Sequence, residues 1–259
     1  MVTVQRLRFI KKTQENSKVY TLSKKEFLQT LFGLWLGDGN RELWVKTCSL
    51  RLKHCDKQRE YTKFKHKWAK RNGWEHLTLS LDKHTTKGLF HGLNIRKLPH
   101  SMFGKKRLGF DGKHRYVSNY VLDRLNPLAL LFWYLDDGYL SVRITESRSS
   151  RCANISIAAF DESTAKRIVS KLNEKFGLTG RLIVTSEGHC KYYMSATCFK
   201  QFYDIVRPYL SNIPMLFKYK FDMQYVPGRR KDTAFDTKYN GQEFDRVKRP
   251  EVEASSLAG

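Results

Sequence analysis

Cysteine is scarce in this chain and follows no spacing rule. Cys48, Cys55, Cys152, Cys190 and Cys198 are odd in number and form no C-x-x-C pair. That argues against a zinc site or a disulfide framework, and leaves free thiols in a reducing, intracellular setting as the expectation. Long apolar runs are also missing: none reaches the roughly 18 residues of a spanning helix, so no membrane partner is expected. Residues 1–20 lack the apolar segment of a secretory signal and read as a basic arm with Arg6, Arg8, Lys11 and Lys12. An organelle, mitochondrion or chloroplast, stays open as a destination. The eight histidines show no metal-ligand spacing such as H-E-x-x-H. Acid is the largest deficit: 25 Asp and Glu face 48 Lys and Arg, a net charge of +23. A field of that sign attracts polyanions, and nucleic acid is the commonest.

What is present supports an ordered core. Hydrophobic residues make up 41% and aromatics 13%, too rich for a disordered chain, and the length fits one or two domains. Ser23-Lys24-Lys25-Glu26 has the form of a capping box, and Leu28, Leu31 and Trp35 follow at helical spacing. Asn126-Pro127 pairs an N-cap with proline at the first helical position, ahead of Leu128, Leu131, Phe132 and Leu135. Both helices close on Asp-Gly, at Asp38-Gly39 and Asp137-Gly138, where glycine is expected to supply a left-handed stop.

After each stop the period changes to two. Cys48, Leu50 and Leu52 alternate with Thr47, Ser49, Arg51 and Lys53; later Leu140, Val142 and Ile144, then Ile155 and Ile157, do the same. Helices are predicted over 56–72 and 161–176, each followed by glycine, with strands near 77–81, 93–98, 181–185 and 191–195. A last helix is predicted over 197–210. The order helix, two strands, helix, two strands, helix occurs twice, with the acids 99 positions apart (137 minus 38). The expected organisation is α+β: an arm (1–22), two αββαββα halves (23–126 and 127–226) and a polar tail (227–259).

Two apolar helices that each end on an acid can pack side by side and deliver Asp38 and Asp137 to one place. Gly33 and Gly37 would allow the close approach. Two adjacent carboxylates repel unless cations sit between them. Hard oxygen donors with room for water and phosphate suit Mg²⁺, and such ions near a scissile phosphate activate water and steady the leaving oxygen.

At "LFGLWLGDG" (31–39) and "LLFWYLDDG" (130–138) the chain resembles the LAGLIDADG homing endonucleases, specifically the monomeric, intron-encoded type with two motifs. The likeness runs from about Ser23 to Lys220. It implies a saddle of two pseudo-symmetric halves on double-stranded DNA, with the motif helices at the centre. Two or more Mg²⁺ ions, with Mn²⁺ a substitute, would be shared near catalytic, metal-binding Asp38 and Asp137, each acid serving one strand. It further implies a basic residue beside each acid: Lys218 in "RPYLSNIPMLFKYK" (207–220), and Lys113, with His114 the alternative, in "DGKHRY" (111–116). The polar strand faces supply the DNA-binding candidates Arg51, Lys53, Arg143, Arg181 and Lys191. The implied activity is site-specific cleavage of both DNA strands; binding of intron RNA as a splicing maturase is the alternative. Phe132 departs from the motif, where a small residue is usual. Asp136, which stands where copy one has Gly37, is expected to be structural or to tune the metal site. The chain begins Met-Val and ends Leu-Ala-Gly, so an origin as a protein-splicing element is not expected.

Overall fold

The computed structural model describes residues 22–43, 47–84, 88–144 and 149–221. The expected arm, apart from Leu22, and the tail lie outside them. Ser23 caps helix α1 (Lys24–Leu36) with both bonds of the capping box, as its sequence predicts. Strands β1 (Asn40–Leu43) and β2 (Thr47–Cys55) follow, then a single 3-10 turn (Asp56–Gln58) leading into α2 (Arg59–Arg71). Next come β3 (Leu77–His84), β4 (Gly88–Pro99), the short α3 (His100–Phe103), a hairpin of β5 (Leu108–Phe110) and β6 (Arg115–Val117), and the short α4 (Asn119–Leu122).

The second run opens with α5 (Pro127–Asp137), whose N-cap Asn126 accepts from Ala129 N. It continues through β7 (Gly138–Ile144), β8 (Ser149–Ser156), α6 (Glu162–Phe176), β9 (Arg181–Val184), β10 (Cys190–Met194) and α7 (Ala196–Val206). Two 3-10 segments, Arg207–Asn212 and Met215–Phe221, complete the described chain.

Each run forms a four-stranded antiparallel sheet of the same topology, β1-β2-β4-β3 and β7-β8-β10-β9. The architecture is α+β, as expected, with α1 and α5 packed against each other. On β2, Leu50 and Leu52 are buried while Arg51 and Lys53 reach solvent, so the period-two reading holds from 50 onward; Ser49, expected on the polar face, is buried where the register shifts between Cys48 and Leu50. No described helix is long and apolar enough to cross a membrane.

The α1–α5 seam is tight because small residues line it. A Cβ on Gly33 would overlap the backbone of Ala129, and one on Gly37 would lie 2.5 Å from Asp136 Cβ. At the other end of the seam, Asn126 Nδ2 donates to Glu26 O and to Thr30 Oγ1, both at 3.0 Å. Bulky Phe132 does not enter the seam. It turns toward α2 and packs against Phe64 and Trp68. Trp35, Trp133 and Tyr134 are core residues.

One expectation is corrected. Gly39 and Gly138 are not left-handed: positive φ occurs instead at Gly73 and Gly177, which stop α2 and α6. Glycine is needed at 39 and 138 for close approach. A Cβ on Gly39 would crowd Leu34 O, and one on Gly138 would overlap the Tyr134 ring. The chain thus turns from helix to strand without room for a side chain.

Candidate active site

Packing α1 against α5 brings the two motif ends together. Asp137 is the last residue of α5, whereas α1 stops at Leu36 and Asp38 stands two residues beyond it. The helix ends approach closely enough for Asp38 N to face Asp136 Oδ2 at 3.4 Å. The acids also sense one another. Burial first, then the Asp136 charge, raises the Asp38 carboxyl from its ordinary 3.8 to about 6. Burial first, then the Asp38 charge, raises Asp137 to about 7. Asp38 keeps an open side, its side chain 36% exposed.

Such a pair fits a hard divalent cation. Its donors are carboxylate oxygens, one side is open, and the repulsion that holds protons on the acids is what a cation would relieve. Asp136 does not offer itself in the same way. Its side chain is fully buried, and Oδ1 already accepts from Lys65 Nζ at 2.7 Å and from Tyr61 OH at 2.7 Å. His54 also joins the cluster: it, Asp38 and Asp136 each bring one ligand-type atom within 4.8 Å of the others.

Among the described side chains, Arg115 and Lys220 act on both acids, Lys65 acts on Asp38 as well, and none of these is a lysine that the resemblance implies. Arg115 Nη1 donates to Trp35 O, Leu36 O and Gly37 O at 2.9, 3.2 and 2.8 Å, while Nη2 donates to Gly39 O. It closes the open carbonyl end of α1 and lowers the pKa of both acids. Lys220 does the same for α5: its Nζ donates to Leu135 O at 2.6 Å and Tyr134 O at 3.4 Å. Burial pushes the Lys220 ammonium down to about 8, against the pull of the three aspartates. Trp35 and Leu36 correspond to Tyr134 and Leu135 at the motif offset of 99, so the two cations grip equivalent carbonyls.

Lys113 and His114 lie in the turn between β5 and β6, where their backbone N–H groups donate to Asp111 Oδ1. Lys113 is exposed. Lys218 lies in the same 3-10 segment as Lys220, and its side chain is outside those described. "DGKHRY" and the final segment thus reach the site through Arg115 and Lys220, one or two residues further on.

The strand candidates divide. Arg51 pairs with Glu42 at 3.5 Å and Asp82 at 3.2 Å, and Lys53 pairs with Asp82 at 2.7 Å. Arg181 is exposed beside the Tyr193 ring, and half-buried Lys191 lies 5.8 Å from the Tyr139 ring centroid. Arg143 pairs with Ser150 in the sheet register, but its side chain is outside those described.

Besides Arg115 and Lys220, sequence reasoning missed two further residues, His54 and Lys65, both buried. Their signal was a polar residue on an apolar phase. His54 follows Leu50 and Leu52 at period two, and Lys65 lies between Tyr61 and Ala69 at a spacing of four.

Fold and site together define a duplicated α+β protein whose motif helices present paired acids on a basic molecule. Residues 28–202 match the LAGLIDADG DNA endonuclease family, and the chain belongs to it. It is 30% identical over 203 residues to Protein RecA of Mycolicibacterium flavescens, covering 74% of this chain and 46% of that protein. With Protein RecA of Mycobacterium shimoidei the identity is 27% over 205 residues, at 74% and 46% coverage. The chain therefore spans about half the length of the curated relatives it matches. In fold it is similar to the homing endonuclease I-WcaI bound to its DNA recognition sequence: TM-score 0.58, 19% identity, 82% of this chain and 92% of that one.

Proposed function

We propose that this chain is a divalent-metal-dependent endonuclease that hydrolyses one phosphodiester in each strand of a long, asymmetric DNA site, acting as a monomer. The observation that carries the reading is the meeting of Asp38 and Asp137 at the end of a helix seam, with each carboxyl raised by burial and by its acidic neighbours. Family membership and the net charge of +23 support it. Residues 23–126 and 127–226 would form the halves that serve one strand each.

Asp38 and Asp137 would hold the ions, with Mg²⁺ the first candidate and Mn²⁺ a substitute. Bound there, such an ion supplies Lewis-acid stabilisation of phosphate charge and a lowered water pKa. The chain's own residues do the rest. Arg115 and Lys220 fix the helix ends that carry the acids, and their positive charge faces the site where a phosphate would sit. Arg181 and Lys191 stand free to approach the duplex, while Arg51 and Lys53 must first leave Asp82. Lys113, exposed in the β5–β6 turn, is better placed in this reading as a phosphate contact than as a partner of an acid.

The test is selection of cleaved sites from a randomised duplex library. Mg²⁺ should yield one enriched asymmetric sequence cut on both strands, and Ca²⁺ should yield binding to that sequence without cutting. A chain that retained intron RNA and cut no duplex in either ion would overturn the nuclease reading in favour of a splicing maturase.

A further inference from the structure

The two halves differ at a buried polar cluster formed by His54 and Lys65 of the first half with Asp136 of the second. Asn40 pairs with Arg51, and Tyr139, 99 positions on, pairs with Asn154, so β2 maps onto β8 at an offset of 103 (154 minus 51). The buried stripe of α2, Tyr61, Thr62, Lys65 and Ala69, maps at the same offset onto that of α6, Thr164, Ala165, Ile168 and Leu172. His54 therefore corresponds to Ile157 and Lys65 to Ile168, both buried and apolar. Asp136 corresponds to Gly37 across the seam.

The polar version is the costlier one. A buried ion pair is often no more stabilising than well-packed apolar residues of similar volume, and the second half folds with isoleucines at these places. Lys65 and Asp136 are both fully buried. Their retention calls for a task other than holding the fold. The contacts run in a chain: Lys65 Nζ donates to Asp136 Oδ1 at 2.7 Å and to His54 Nε2 at 3.0 Å, while His54 Nδ1 stands 3.3 Å from Asp38 Oδ2, close but without the alignment of a hydrogen bond.

Resting on the nuclease reading above, we propose that Lys65 and His54 are positioning residues that orient the Asp38 carboxylate, so that one strand cut depends on a support the other does not need. The ammonium offers only donors, so Nε2 accepts and the imidazole proton sits on Nδ1, facing Asp38. Asp38 needs this because it lies beyond the end of α1, without a helix to fix it. Asp137 is held by α5 itself, and among the described residues its carboxylate has no hydrogen bond or ion pair.

The test compares His54→Ile, which copies the second half, with wild type on a supercoiled plasmid carrying the selected site. One strand should be cut about 10- to 100-fold more slowly than the other, so that nicked circles accumulate. Binding in Ca²⁺ should not change. His54→Asn, which keeps an N–H donor near the place of Nδ1, should restore the balance. Because His54→Ile strands a buried lysine, the triple variant H54I/K65I/D136G removes the whole cluster and should show the same bias. Independently, nitrogen-15 NMR of metal-free protein should place the His54 proton on Nδ1. Equal slowing of both strands, unchanged cutting in the triple variant, or a proton on Nε2 would each overturn the proposal. Wild-type protein that cuts no duplex would refute the nuclease reading instead, and the tautomer result would still decide the His54 geometry.

Discussion

At the scale of single residues, the acids at the seam make the metal-free protein less stable as pH rises. A carboxyl whose folded pKa exceeds its ordinary value holds its proton more tightly when folded. Its favourable contribution is complete below the ordinary 3.8 and is lost as pH rises through about 6 for Asp38 and about 7 for Asp137. Asp137→Asn should therefore raise the melting temperature of metal-free protein at about pH 8 and leave it nearly unchanged near pH 4. Thermal scans at the two values check this, and equal shifts at both would contradict the charge argument. The acids themselves were legible because each closes an apolar helix before glycine. Arg115 was not, because its side chain reaches back to carbonyls of a helix about 80 positions earlier in sequence. No local pattern distinguishes it from Lys113 and His114 beside it.

At the scale of elements, the seam depends on a backbone contact that admits no side chain. Gly33 faces the Ala129 carbonyl so closely that a Cβ would overlap backbone, which cannot rotate away. Gly33→Ala should cost about 3 kcal/mol, the upper end for forcing extra volume into a packed core. Urea unfolding measures it, and a loss well under about 1 kcal/mol would mean that the helices slide apart freely. The motif helices were readable because caps mark their starts: Ser23 with Glu26, and Asn126 with Pro127. The long strands were readable from their period-two burial. Four-residue β1 and the β5–β6 hairpin were not, since three or four residues hold too few alternations to show a period. Gly73 and Gly177 were expected to stop their helices, and both are left-handed; the left-handed stop expected at Gly39 and Gly138 is absent there, where tertiary crowding decides the residue.

At the scale of the whole molecule, duplication brings two equivalent helix ends together, and divergence makes them different. Both sheets keep one strand order, and both helix ends are gripped by a cation at matching carbonyls. Across the seam, however, Gly37 meets Asp136, and the buried His54–Lys65 pair has apolar Ile157 and Ile168 as its counterparts in the other half. The repeat could be seen in the sequence from two Asp-Gly stops at near-equal positions. The asymmetry could not, since it requires knowing which face of β2 and α2 points inward. In the proposed reading Asp38 and Asp137 form one cutting centre. It is tested most directly by single-turnover cleavage of the selected duplex by Asp38→Asn and Asp137→Asn, with binding measured separately in Ca²⁺. The account predicts that each variant binds the site and makes no double-strand break; a variant that cut both strands at the wild-type rate would contradict it.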